Sequence, residues 1–203
     1  VTSVTSEQGT STARRTTGGR PADGRQRVID AAVAQFAEYG VEGTSLQMIA
    51  DAMGVTKAAV YYHFKTKDEI VVAVVTPVLD QLLAILREAE AQRGQAARTR
   101  AFLTAFTRLV IGHRQLLTLL YDDVAVLRIL HEHWPHFDEF ERRVPLVLVG
   151  PDADAGRLVA AAVALTGIVA AAASPQFTHL GDAELEEHLL DAGLRLVGAR
   201  RRR

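Results

Sequence analysis

Residues 44–67, TSLQMIADAMGVTKAAVYYHFKTK, decide the fold. Their spacing predicts two short helices joined by a tight turn, with a third beginning directly after. Ser45 is a natural N-cap, because its hydroxyl can accept from a backbone N–H that a new helix leaves unpaired. Leu46, Ile49, Ala50 and Met53 follow at helical spacing and give that helix one apolar face. Gly54 stands where the chain must turn sharply with positive φ, a conformation that a Cβ opposes. Val55 returns the turn to the core. Thr56 caps the second helix, on which Val60 and Phe64 are four residues apart and point inward. Lys57, Ala58, Tyr61, Tyr62 and His63 are left on or near the opposite side. A donor-rich, aromatic outer face suits phosphates and base edges, and such a unit presents one helix to the major groove. The alternative is an ordinary helical hairpin with exposed tyrosines. Against it, caps, glycine and inward apolar positions all agree on one geometry.

The same stretch resembles the DNA-binding domain of the TetR family of bacterial transcriptional regulators. The resemblance starts at Gly24-Arg25-Gln26-Arg27-Val28-Ile29-Asp30-Ala31-Ala32 and runs through Phe36-Ala37-Glu38-Tyr39-Gly40. It continues at Thr44-Ser45, Ile49-Ala50, Gly54-Val55, Tyr61-Tyr62-His63-Phe64 and Lys65-Thr66-Lys67. Residues 80–203 carry no motif of this kind. The fold implied is all-α, about nine helices, with a helix-turn-helix head followed by a larger helical body.

The chain has 203 residues, enough for a substantial core, and 48% of them are hydrophobic, which argues against overall disorder. The formal net charge is −1, so the whole protein is no nonspecific polyanion binder. Residues 1–67 hold eight Lys or Arg against six Asp or Glu, a modest positive balance. The chain contains no cysteine, which excludes disulfides and cysteine-based zinc sites or nucleophiles. The opening VTSVTSEQGTSTARRTTGG lacks the apolar core of a secretory signal. The alanine-rich segment 158–173 is short for a membrane span and suits interhelical packing better. A soluble cytoplasmic protein without a membrane association is expected.

Residues 1–22 read as a flexible arm, in which Arg14, Arg15 and Arg20 could touch a phosphate backbone or a minor groove. Residues 23–70 read as the DNA-binding domain and 71–203 as a ligand-sensing and dimerisation domain. A first helix is expected from about Asp23 to Tyr39, ended by Gly40. Thr66 should cap a fourth helix reaching about Gln92, kinked or divided at Pro77. Further helices are expected at about 96–111, 113–120, 124–133, 154–173 and 182–197. The run 144–153, VPLVLVGPDA, could be a strand, but a lone strand has no partner, so an extended or helical connection is preferred.

Gln47 can offer its amide to a base edge, and Lys57 and Ala58 open the recognition helix, where a side chain reaches deepest. Tyr61 follows one turn later. The resemblance implies that Tyr62, His63 and Lys67 hold phosphates, with Thr44 or Ser45 helping and Thr56 at the helix start. It also implies a homodimer on a palindromic double-stranded operator, because one helix-turn-helix reads only a few base pairs. The small or apolar residues Ala160, Ala164, Gly167, Ile168 and Ala171, with Leu185, Leu189, Leu190 and Leu194, offer a surface for that pairing.

Phe102, Phe106, His113, Tyr121, His131, Trp134 and Phe137 are candidates for a pocket that takes an apolar or aromatic effector. By resemblance, such a ligand shifts the fourth helix and releases a repressor from DNA. Solid core is the competing reading of the same aromatics. The segment His131-Glu132-His133-Trp134-Pro135-His136 invites a metal, but His131 and His133 point apart on a helix and Pro135 disturbs it, so no metal or cofactor is expected. Two other functions compete: a DNA-binding regulator governed by a protein partner, and an enzyme with a His-centred site near Asp122-Asp123. No catalytic motif stands out for the second.

Overall fold

The computed structural model describes residues 21–114, 116 and 124–199. The expected arm therefore lies almost wholly outside the described residues, as do Tyr121, Asp122 and Asp123 and most of the expected helix at 113–120. The described residues form nine α-helices, one short 3-10 turn at Pro175–Phe177 and no strand. The helices are α1 Pro21–Gly43, α2 Leu46–Ala52, α3 Lys57–His63, α4 Lys67–Glu90 and α5 Gln95–Gly112. They continue as α6 Val124–His133, α7 Phe137–Val149, α8 Ala155–Ala173 and α9 Asp182–Leu196.

Local chemistry sets the boundaries. Ser45, Thr56, Thr66 and Asp154 each accept a hydrogen bond from the backbone N–H three residues on, capping α2, α3, α4 and α8. Gly40, at φ 71° and ψ 167°, interrupts α1 where the sequence placed its end, and a short return to Gly43 follows. Pro77 does not divide α4, which runs unbroken for 24 residues. The backbone carbonyl that a proline orphans sits four residues back, at Ala73, and packing along both halves of the helix outweighs that single loss. The run 144–149 is helical rather than extended. Val144, Val147 and Leu148 lie one helical turn apart and are buried together, so tertiary packing overrides the β-propensity of a valine-rich stretch.

Two apolar clusters organise the chain. The first joins Val28, Ala32 and Phe36 of α1, Ile49 and Ala50 of α2, Val60 of α3, Phe64, and Ile70 to Val75 along α4. It extends past residue 70 and takes in Val126 and Ile129 of α6. The second joins Leu86 and Ala89 at the far end of α4 to Phe102, Leu103 and Phe106 of α5 and to the inner faces of α7, α8 and α9. The helix α4 thus crosses from one core to the other. By length and composition α4 and α8 could each cross a membrane, but α4 buries side chains in both cores and α8 buries Ala161, Ala164, Ile168 and Ala172 in the second.

The far end of α4 is tied to α7. The Arg143 guanidinium donates from Nε to Glu90 Oε1 at 2.9 Å, donates again to Oε2, and reaches Glu139 Oε1 at 2.6 Å. These hydrogen bonds hold the Glu90 carboxyl below the ordinary glutamate range, against the opposing effect of burial. Because the folded-state pKa is depressed, this stabilisation is present above the pKa of the unfolded chain. It is lost as pH falls through the folded value. Both side chains are partly exposed, so solvent screens the pair. Thermal unfolding of Glu90→Gln should accordingly show a lower Tm at neutral pH and a shallower loss of stability on acidification than the parent. Parallel acid limbs for the two proteins would contradict this role.

Candidate nucleic-acid interface

The turn between α2 and α3 is closed by two backbone hydrogen bonds. The Val55 N–H donates to Ala50 O at 3.0 Å and the Gly54 N–H to Asp51 O at 3.0 Å, with Gly54 at φ 66°. This fixes the angle between α2 and α3. Val60 and Phe64 are fully buried, so α3 can present only its other side. That side carries Lys57, Ala58, Tyr61 and Tyr62, all exposed, Tyr62 to 74%. Gln47 of α2 is also exposed, and its Nε2 donates to Asp51 Oδ1 at 2.7 Å, which orients the amide along the helix. Ser45 and Thr56 stand exposed at the two helix starts.

His63 is half-buried. Its Nε2 lies where a Cβ on Gly24 would approach to 2.8 Å, so glycine at that place in α1 lets the imidazole pack close. The Tyr62 ring meets it edge-on, with centroids 5.1 Å apart. Lys65 is a neighbour that sequence reading did not single out. Its Nζ donates to Tyr61 O at 2.6 Å and lies 4.6 Å from the Tyr61 ring centroid, adding a cation beside the exposed face. Its position four residues after Tyr61 was the available signal.

Two residues expected at phosphates have other engagements. Thr44 is 3% exposed, and its hydroxyl donates to Gly40 O at 2.8 Å and lies 3.2 Å from Gln35 O. Lys67 donates from Nζ to Val41 O at 2.6 Å and to Glu42 O at 3.3 Å. Gly40, Val41 and Glu42, three of these acceptors, lie in the last turn of α1, whose carbonyls have no partner further along the helix. Thr44 is a joint between α1 and α2. Lys67 pins the start of α4 to the same joint.

The body divides the remaining candidates: Phe102 and Phe106 meet in one place, His131, Trp134 and Phe137 in another, and His113 stands elsewhere. Phe102 and Phe106 are buried and stacked, centroids 5.7 Å apart, in the second core. Trp134 is buried at the end of α6, where Phe137, Phe140 and His136 surround it edge-on or tilted. His131 is exposed beside Phe137, and His113 closes the end of α5 near Arg114 and Asp182. The histidines of α6 and the following turn do not converge. His131 faces Asp138, His136 faces Glu139, and His133 lies 3.9 Å from both Asp68 and Glu132. Among the described residues no three His, Asp or Glu side chains come together as a metal site.

Within the single chain the residues expected at the pairing surface differ in exposure. Ala164, Ile168, Leu185, Leu189 and Leu194 are buried within the single chain, where α8 packs on α9. Ala160, Ala171 and Leu190 are half-buried, and only Gly167 is fully exposed. The free stripe of α8 is its other face, with Leu158, Val159 and Val163, and α9 adds Leu196. Alanine on every side of α8 hides which face is inward, and the large residues opposite decide it.

Residues 28–74 match the family of bacterial regulatory proteins, tetR family. That stretch of the chain is similar to the TetR family. Over 46 residues it is 50% identical to the probable acrEF/envCD operon repressor of Escherichia coli (strain K12), covering 23% of this chain and 21% of that protein. Over 129 residues it is 30% identical to the transcriptional repressor KstR2 of Mycolicibacterium smegmatis, covering 63% of this chain and 60% of that one. The matched stretches thus span about a fifth and three fifths of these relatives. The fold is also that of a TetR-like transcriptional regulator from Rhodococcus sp. RHA1, with TM-score 0.66 at 19% identity over 90% of this chain and 100% of the other. The ketosteroid regulator KstR2 of Mycobacterium tuberculosis gives TM-score 0.59 at 22% identity over 91% and 97%. The family match thus falls on residues 28–74, and the likeness to these solved structures extends the shared fold over 90% or more of the chain.

Two substitutions separate contact from support. Tyr62→Phe removes only an exposed hydroxyl, so the Tm should hold within about 0.5 kcal/mol of stability while affinity falls several-fold on cognate and random DNA alike. Lys67→Ala removes a charged donor from two carbonyls and should destabilise the fold by about 1–3 kcal/mol. Denaturation and binding measured on both proteins check this. A Lys67→Ala protein of unchanged stability would contradict the structural assignment.

Proposed function

We propose that this chain is a sequence-specific DNA-binding transcriptional regulator of the TetR family, a cytoplasmic homodimer that represses from a palindromic operator and is released by a small molecule. The single observation that carries the reading is the division of α3. Val60 and Phe64 are locked in the core while Lys57, Ala58, Tyr61 and Tyr62 stand free on one surface. Lys57 and Ala58, at the start of α3, reach base edges, a lysine to guanine and an alanine to a thymine methyl. Gln47 reads beside them. Tyr62, His63 and Lys65 hold the flanking phosphates, with Ser45 and Thr56 at the helix starts.

Reading a palindrome needs two copies, with recognition helices about 34 Å apart. The unpartnered apolar stripe of Val159 and Val163 on α8, with Leu196 on α9, supports pairing through the last two long helices. Control by a small molecule is inferred from the family and from the continuity of α4 between the two cores. A ligand acts by its differential affinity for two settings of that helix.

Selection of bound sequences from random DNA, followed by binding across a salt series, tests the reading. The expected result is a palindrome of two half-sites, bound with a salt slope set by the phosphates neutralised. The double change Val159→Asp with Val163→Asp should leave a folded monomer by sedimentation and weaken operator binding by about 100-fold or more. Weak, sequence-blind binding by the parent protein would sink the proposal.

A further inference from the structure

Head and body meet along a cleft of about 720 Å3 that borders the DNA-reading face at His63 and is separate from the aromatic cluster. Sites for small organic molecules commonly span about 300–1,000 Å3. Arg25 of α1, His63 of α3, Phe64, the first turns of α4 and His133 at the end of α6 line this open cleft. One side is apolar, made by Val72 and Ala73 with Phe64 beneath. The acceptors Asp68, Glu69 and Thr76 lie on one wall, and Arg25, His63 and His133 complete the polar lining. Asp68 has His133 as its ionic neighbour, but at 3.9 Å this is too long for a hydrogen bond. Thr76 donates to Val72 O at 2.6 Å, so its oxygen is left to accept. Glu69, also on the wall, accepts the Lys65 N–H at 2.7 Å. The permanent cation of the cleft, Arg25, is laid over the Phe64 ring at 4.6 Å from the centroid. Arg25 is thus engaged at the ring and His133 stands too far, so the Asp68 carboxylate has no donor at hydrogen-bond distance among the described side chains, and an ammonium would supply one.

We infer that this cleft binds a small amphipathic amine, with its ammonium on the Asp68 carboxylate and its hydrocarbon body along Val72 and Ala73. Asp68, Val72 and Thr76 stand at successive turns of α4, so the ammonium site and the Thr76 acceptor are about 12 Å apart along the helix. An amine carrying a second donor at its far end fits that span. The occupant touches α1, α3, α4 and α6 at once and so pins the head against the body. Binding of the amine depends on the cleft alone. Its effect on DNA rests on the regulator reading above.

Calorimetric titration of the full chain with phenethylamine, 2-phenylethanol and phenylacetate tests the inference, since the three share a ring and differ in charge. Phenethylamine should bind at least tenfold tighter than the other two, and Asp68→Asn should abolish that preference. If Asp68→Asn does not fold, Ala73→Leu, which keeps every charge and fills the apolar side, should weaken phenethylamine at least tenfold. Equal affinities, tighter phenylacetate, no binding of any probe, or an amine preference that survives the substitution would overturn the site. Asp68-dependent amine binding by a protein that selects no DNA sequence would leave the site standing and remove the regulator reading instead.

Discussion

The burial of Val60 and Phe64 is the constraint on which the rest depends. Helix α3 has seven residues, two turns, and a helix that short does not persist alone in water. Burying each of those side chains contributes about 1.5–3 kcal/mol, more than helix propensity over seven residues can supply. The core therefore makes α3 a helix and at the same time fixes its rotation. Once those two residues point inward, the placement of Lys57, Tyr61 and Tyr62 on the surface follows from helical geometry. The caps at Ser45 and Thr56 and the turn at Gly54 refine this arrangement and could not create it unaided.

The same core reaches into the body. Helix α4 supplies Ile70, Val71, Val74 and Val75 to the head and Leu86 and Ala89 to the second core, and α6 returns Val126 and Ile129 to the head. Head and body consequently share side chains through a rod that spans both. Lys67 fastens one end of the rod to the α1–α2 joint, and Glu90 fastens the other to Arg143 of α7. A rearrangement of α7 or α6 has a direct mechanical route to α3, four residues before α4 begins. The route is a packed element with fixed ends, which is the physical requirement for coupling distant sites.

What the sequence made legible was local. The caps, the Gly54 turn, the inward pair on α3 and the ends of α8 and α9 each depend on residues within a turn or two of one another. Interactions across long separations were not legible. The carbonyl partners of Lys67, Val41 and Glu42, lie about 25 positions earlier and contribute only backbone atoms, so no side-chain pattern signals them. Thr44 is concealed by the same joint. Phe102 and Phe106 carry identical signals as pocket or as core, since periodicity reports the inward face and not what fills it. The face of α8 was ambiguous because alanine and glycine occur all round it. No pattern announced that α6 belongs partly to the head, for its apolar spacing fits either core.

Nuclear magnetic resonance of the isotopically labelled chain, titrated with its selected operator, tests the central claim most directly. The account predicts that backbone amide shifts concentrate on residues 45–48 and 56–63, with the buried Val60 and Phe64 side chains keeping their environment. Shifts concentrated on α5 to α9, or a loss of the Val60 and Phe64 core signals on binding, would contradict it.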